Sequence, residues 1–360
     1  MTVSSLRCSV CGETYEDRWR CTCGGPLDYA DPSLPDGPAP DPSELDRDRG
    51  LWAFSEFIPE EPLATLGEGF TPMVDAPAWD ASFKLEYVSP TGSFKDRGAT
   101  TTVSRALSLG VDRVVDDSSG NAGAAIATYA ARAGIDADIY VPASVKQSKL
   151  KAIERAGATP IRVEGSREDV TDACVAAVET GEAWYASHAW NPAFFAGTAT
   201  FAYEVAAARD WEVPDAVVSP LGHGTLFLGA YRGFRALYEA GWTDRIPKML
   251  GAQAVGAAPI ATELHGERDG ERNDAADGIQ IRDPVRKAAV LDAIEATGGD
   301  AIAVGSEETR AALAELHRSG FYTEPTCAVA PAALETYREE GVLDDDADVV
   351  VPLTGSGLKT

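Results

Sequence analysis

From about residue 66 to the end, short apolar runs alternate with segments of helical period, and this alternation constrains the fold more than any other feature of the chain. The runs at 83–88 (FKLEYV), 113–117 (RVVDD), 137–142 (ADIYVP), 159–165 (TPIRVEG), 215–220 (DAVVSP), 248–255 (KMLGAQAV) and 346–355 (DADVVVPLTG) read as strands. The stretches 99–109, 122–133, 147–156, 168–178 and 226–239 read as helices. Short apolar strands separated by helices imply parallel sheets covered on both faces. The expected class is α/β, with two domains and an appendage, because 360 residues are too many for one small core. No internal repeat stands out, and the polar stretch 266–287 reads as a long loop.

The appendage is the N-terminal segment CSVCGETYEDRWRCTCGGPLD. Cys8 and Cys11 form a CxxC pair, and Cys21 and Cys23 form a CxC pair. Two short-spaced cysteine pairs on facing knuckles supply the four thiolates of a tetrahedral zinc site. Gly12 and Gly24 follow the pairs, where tight knuckles need a permissive backbone. Four cysteines would leave no open coordination position, so such a zinc would be structural. The competing reading is a ribbon that has lost its metal. Residues 26–50 are rich in proline, aspartate and glycine and read as a linker.

Composition excludes some functions. The chain carries 57 acidic and 31 basic residues, a net charge of −26, and only eight lysines. Such a charge argues against nucleic acid as a partner. The acidity is spread along the chain, as in a solvated surface adapted to high salt, so an anionic ligand must be held by local dipoles and a few placed cations. No apolar run is long enough to span a membrane. The N-terminus lacks a secretion pattern, and the expected location is the cytoplasm.

Parallel sheets bind ligands at the carboxyl ends of their strands. Four strand exits stand out. After 83–88 comes SPTGSFKDRG, which puts Lys95 at the start of a helix, where the dipole and burial disfavour a protonated amine. The free amine is the form that condenses with an aldehyde; a surface ion pair explains the position equally well. After 113–117 comes SSGNAGAA. Its hydroxyls and N–H groups at a helix start suit a carboxylate, though an ordinary cap also explains them. After 215–220 comes LGHGTLFLG, a glycine-flanked turn into a helix that suits a phosphate. After 346–352 comes LTGSGLK, with Thr354 beside two glycines. The four histidines, at 188, 223, 265 and 317, show no metal-ligand spacing. An amine, a carboxylate loop, a phosphate cradle and a hydroxyl together match pyridoxal phosphate and an amino-acid substrate.

On these residues the chain resembles the fold-type II pyridoxal-phosphate enzymes, threonine synthases among them. PTGSFKDRG is similar to the family's lysine motif, SSGNAGAAIATYAARAG to its asparagine loop and VVSPLGHGTLFLGAYRGF to its phosphate loop. EPTCAVAPAAL and VVVPLTGSGLK look like its C-terminal motifs, and the ribbon also occurs in the family. The resemblance implies a large cofactor-binding domain (66–100 and 196–360), a small α/β domain (101–195), a zinc-ribbon-like segment (1–30) and a linker (31–65). It implies that Lys95 carries the cofactor and moves protons, and that Phe94 packs on its ring. Asn121 would meet the 3-hydroxyl, and Ser118, Ser119, Gly120 and Asn121 the substrate. Gly222, His223, Gly224, Thr225 and Leu226 would hold the phosphate, and Thr354 the ring nitrogen. It implies a carbon–oxygen lyase that makes threonine from O-phosphohomoserine and water, and a homodimer.

The sequence departs from that pattern at Ala53, where arginine is usual, and at NPAFFAGTAT (191–200), which lacks basic residues. A third departure is GIQIRDP, which replaces IRIGNP. Each is a place where a substrate phosphate could be recognised. The alternative is therefore a serine/threonine deaminase, or a β-replacement enzyme such as a cysteate or cysteine synthase. A degenerate, non-catalytic relative would lack a cofactor absorption band.

Overall fold

The computed structural model describes residues 4–359. Along the chain the first elements are strands β1 (Leu6–Cys8), β2 (Thr14–Tyr15) and β3 (Leu27–Tyr29), followed by β4 (Met73–Ala76) and β5 (Ala81–Lys84). Then come α1 (Lys95–Ser108), β6 (Arg113–Asp116), α2 (Asn121–Ala133), β7 (Asp136–Pro142), α3 (Gln147–Arg155), β8 (Thr159–Val163), α4 (Arg167–Glu179), β9 (Trp184–Tyr185) and α5 (Pro192–Ala207). The rest is β10 (Ala216–Pro220), α6 (Thr225–Glu239), β11 (Lys248–Ala254), α7 (Pro259–His265), α8 (Lys287–Thr297), β12 (Asp300–Val304), α9 (Ser306–Arg318), α10 (Val329–Glu339) and β13 (Val349–Pro352).

The chain forms two compact units. The first holds residues up to 35, 46–69 and 95–198; the second holds 36–45, 70–94 and 199–360. In the first unit, β8-β7-β6-β9 form a wholly parallel sheet. Its core includes Val103, Val114, Ile126, Tyr129, Ile139 and Phe194, all without exposed surface. The same unit carries the small antiparallel sheet β2-β1-β3. In the second unit the order is β12-β11-β10-β13-β5-β4, parallel except for the edge pair β4–β5. Every residue of β10 and β13 is buried, which is why AVVSP and VVVP show no alternation.

Several expectations need correction. FKLEYV is not one strand: β5 ends at Lys84 and 86–88 is a 3-10 turn. The physical reason is a buried polar network that the strand reading ignored. Lys84 Nζ lies 2.7 Å from Glu204 Oε2, both side chains are almost wholly buried, and Thr71 Oγ1 donates to Glu86 at 2.8 Å. At the C-terminus only 349–352 pairs as a strand. Within the stretch read as a linker, residues 47–57 form 3-10 turns, because Leu51, Trp52, Phe54 and Phe57 bury themselves. The polar stretch 266–287 is, up to the start of α8, the long loop expected, with one 3-10 turn at Asp277–Ile279, and it is anchored. Asn273 donates to Val304 O, Gly305 O and Thr309 Oγ1 at 2.8–3.1 Å.

Candidate functional site

In the first unit, Lys95 is the first residue of α1 and is half-buried, and Asp96 and Arg97 behind it are fully buried. The start of this helix is fixed by close packing. A Cβ on Gly98 would sit 2.2 Å from the Phe194 ring, and one on Gly197 would sit 1.8 Å from Arg97 O. The glycine of KDRG is thus there because α1 and α5 touch backbone to ring.

The exit of β6 carries the loop 118–121. Ser118 N–H donates to Asp116 Oδ2 at 3.2 Å and Gly120 N–H to Ser118 Oγ at 3.3 Å. Asn121 opens α2, and the capping position, Gly120, offers no side chain to that helix end. Ser118, Ser119, Gly120 and Asn121 are all half-buried. Two neighbours escaped the sequence reading. Asp116 and Asp117 end a buried strand with two carboxylates, and Arg167, Thr171, Tyr185 and His188 surround them. A charged pair closing an apolar parallel strand was the available signal.

In the second unit, Gly222, His223 and Gly224 connect β10 to α6, whose first residues are Thr225 and Leu226. Gly224 caps α6 with φ of 77°, again without a side-chain cap. A Cβ on Gly224 would meet Val290 Cγ2 at 2.8 Å, and one on Gly222 would meet Ile279 Cα at 3.1 Å. These contacts leave little room for a side chain at either glycine. Thr354 is buried, and its Oγ1 lies 3.3 Å from Cys327 Sγ. Burial, then the charge of Glu324, pushes the Cys327 thiol up to about 12, so it stays protonated. Phe94, half-buried, donates its N–H to Thr354 O at 3.0 Å.

These residues fit pyridoxal phosphate. In the first unit a lysine opens α1 and α2 starts without a side-chain cap; in the second, a turn with glycines at 222 and 224 precedes α6, which also starts without a side-chain cap, and a buried hydroxyl sits beside a neutral thiol. The sulfurs of Cys8, Cys11, Cys21 and Cys23 all lie within 4.8 Å of one another. Cys8–Cys23 and Cys11–Cys21 are 3.6 and 3.4 Å apart, near the roughly 3.8 Å between thiolates on one tetrahedral zinc. A cavity of about 730 Å³ lies against this cluster, lined by Trp19, Arg20, Arg105 and Trp184. None of the residues expected to hold the cofactor lines it.

Comparison with known proteins agrees with this chemistry. The family model described as "Pyridoxal-phosphate dependent enzyme" matches residues 64–355. The threonine synthase of Methanocaldococcus jannaschii is 35% identical, covering 98% of this chain and 92% of the relative. That of Methanosarcina acetivorans is 35% identical over the same shares. That of Mycobacterium tuberculosis is 31% identical over 82% of this chain and 83% of the relative. Among solved structures, a pyridoxal 5'-phosphate-dependent aspartate racemase matches with TM-score 0.68 and 24% identity, over 79% of this chain and 90% of that one. Threonine deaminase isoform 2 from Solanum lycopersicum matches with TM-score 0.68 and 20% identity, over 91% and 89%. At such identities these two speak for the fold alone. The chain belongs to the pyridoxal-phosphate dependent enzymes of fold-type II and is threonine synthase-like within them.

Proposed function

We propose that the protein is a threonine synthase, converting O-phospho-L-homoserine and water to L-threonine and phosphate. The observation that carries this reading is 35% identity over 98% of the chain to a threonine synthase, joined to a lysine at the first residue of α1.

The residue roles are those that the family resemblance implies. Lys95 Nζ would hold the cofactor through its aldehyde and would take the proton from the substrate α carbon. Phe94 covers the ring, and Asn121 meets the cofactor's 3-hydroxyl. Ser118, Ser119 and Gly120 bind the substrate carboxylate through hydroxyl and N–H donors. The N–H groups of residues 222–226 hold the cofactor phosphate, with Gly222 and Gly224 allowing close approach. Thr354 donates or accepts at the ring nitrogen as a neutral partner. Bound there, pyridoxal phosphate supplies an electron sink for charge developed at the α carbon. In the net reaction the bond from the γ carbon to the phosphate oxygen breaks, a C–H bond at the β carbon breaks as water adds its oxygen there, and a proton reaches the γ carbon.

The same reading gives Cys8, Cys11, Cys21 and Cys23 a structural zinc, supported by their mutual distances. It makes the protein a cytoplasmic homodimer that works in high salt, supported by the −26 charge for the last point. Among the described residues no helix is long and apolar enough to cross a membrane.

The test uses purified protein in high salt with pyridoxal phosphate and O-phospho-L-homoserine, following phosphate and threonine together. Both products should appear, and both should vanish in Lys95→Ala. If neither appears while a Lys95-dependent visible absorption band persists, the substrate assignment fails. Serine, threonine and phosphoserine would then be screened for deamination or β-replacement.

A further inference from the structure

Strand β6 ends on two buried carboxyl groups with opposite surroundings. Asp117 is fully engaged. Its side chain accepts from Arg167 at 3.0 Å, Thr171 Oγ1 at 2.7 Å and Tyr185 OH at 3.0 Å, and Arg167 also reaches its carbonyl. Burial opposes its ionisation, but Arg167 and these donors hold Asp117 below the usual carboxylate range. Among the described residues Asp116 has one such contact, from Ser118 N–H to Oδ2. Its Oδ1 is buried without a hydrogen-bond partner among the described residues and faces His188 Nδ1 at 4.0 Å, about 1 Å beyond bonding distance. Burial first, then the charge of Asp117, pushes Asp116 well above the usual range, against Arg167 and Lys95. Burial, then Lys95, drives His188 down to about 3. The other groups facing the pair are Cys174 on α4 and Tyr185 on β9.

The consequence concerns the loop that follows. Asp116 is bonded to the very residue, Ser118, that begins the 118–121 loop. A neutral carboxyl leaves that loop's field positive, as the N-terminal end of α2 requires for an anion. An ionised Asp116 would repel an incoming carboxylate in a water-poor setting and draw the Ser118 N–H to itself. We propose that Asp116 and His188 act as a charge gate on the 118–121 loop: the pair holds one proton while the loop takes the substrate carboxylate, and loss of that proton shuts the loop to anions. This rests on the reading that the loop binds the substrate carboxylate, and it makes Asp116 a specificity residue.

The test is a spectral titration of the holoenzyme with L-threonine and with isopropanolamine, its carboxyl-free analogue, across pH. The ratio of the two affinities removes the titration that both amines share. In the wild type the ratio should be flat at low pH and then fall about tenfold per pH unit once the pair loses its proton. In Asp116→Asn the ratio should stay flat throughout, and in His188→Gln the break should move to another pH. In cofactor-free protein, the His188 ring resonances should move at the same pH as the break, and not in Asp116→Asn, which reports the gate without any ligand. A flat ratio in the wild type, the same break in Asp116→Asn, or no threonine binding at any pH would overturn the gate. If O-phospho-L-homoserine releases no phosphate, the substrate assignment fails, and the threonine titration still decides the gate.

Discussion

Thr354 Oγ1 lies 3.3 Å from Sγ of Cys327, and both residues are buried. The thiol also approaches Gly355 O at 3.3 Å and accepts from Gly355 N–H at 3.1 Å, so it locks the turn after β13. With its pKa pushed up to about 12, Cys327 has little thiolate at pH 8 and no access to solvent. Iodoacetamide should leave Cys327 unmodified in folded protein and modify it in urea, as read by peptide mass spectrometry. Replacing it with alanine should cost about 1–2 kcal/mol of stability through the lost hydrogen bonds.

Asp116 and His188 should leave opposite marks on stability against pH. Asp116 has a raised folded pKa, so its contribution is fully present below the ordinary value of 3.8 and is lost as pH rises through the folded value. Asp116→Asn should therefore gain on the wild type between pH 5 and pH 8 in urea denaturation. His188 has a depressed folded pKa, so its contribution is present above 6.5 and lost as pH falls toward about 3. His188→Gln should gain on the wild type as pH drops from 6.5 to 4.

Gly98→Ala should damage the start of α1, since its Cβ would fall 2.2 Å from the Phe194 ring. Overpacking of this kind costs about 1–3 kcal/mol. The expected result is a lower urea midpoint together with weaker retention of pyridoxal phosphate on dialysis, because Lys95 shares that helical turn.

Lys84 is held by Glu204, 2.7 Å away, with Glu86 at 4.0 Å, and none of the three reaches solvent appreciably. Lys84→Met would strand two buried carboxylates. Removing one partner of a buried pair costs about 3–5 kcal/mol. Equilibrium denaturation should show that loss, and Lys84→Met combined with Glu204→Gln should recover part of it.

Metal analysis should find one zinc per chain, lost in Cys21→Ser. Removing it with a chelator should unfold the β2-β1-β3 sheet, whose buried core is small: Leu6, Cys8, Cys21 and Leu27. Hydrogen exchange confined to residues 4–35 would register that loosening, while unchanged protection there would contradict a structural metal.

The strand-and-helix alternation was legible because burial on both faces removes polar residues from parallel strands, and β10 and β13 are wholly buried. Helix starts were legible for the same local reason: glycine and small polar residues precede α2 and α6. The motif residues Lys95, Asn121, Gly222, Gly224 and Thr354 stand out in the sequence because they sit at strand exits or helix starts, which are properties of neighbours in the chain.

What only the tertiary structure decided depends on residues far apart in the chain. FKLEYV looked like a strand until Lys84 met Glu204, 120 residues away, and no local pattern announces such a pair. Gly98 looked like helix filler until the Phe194 ring arrived against it. The charge state of Asp116 depends on burial, on the charge of Asp117 and on Arg167 from α4. Local order along the chain follows from spacing and polarity, which a sequence carries by itself. A buried group's partners and charge follow from which distant side chains fold against it, and that is set only when the core closes.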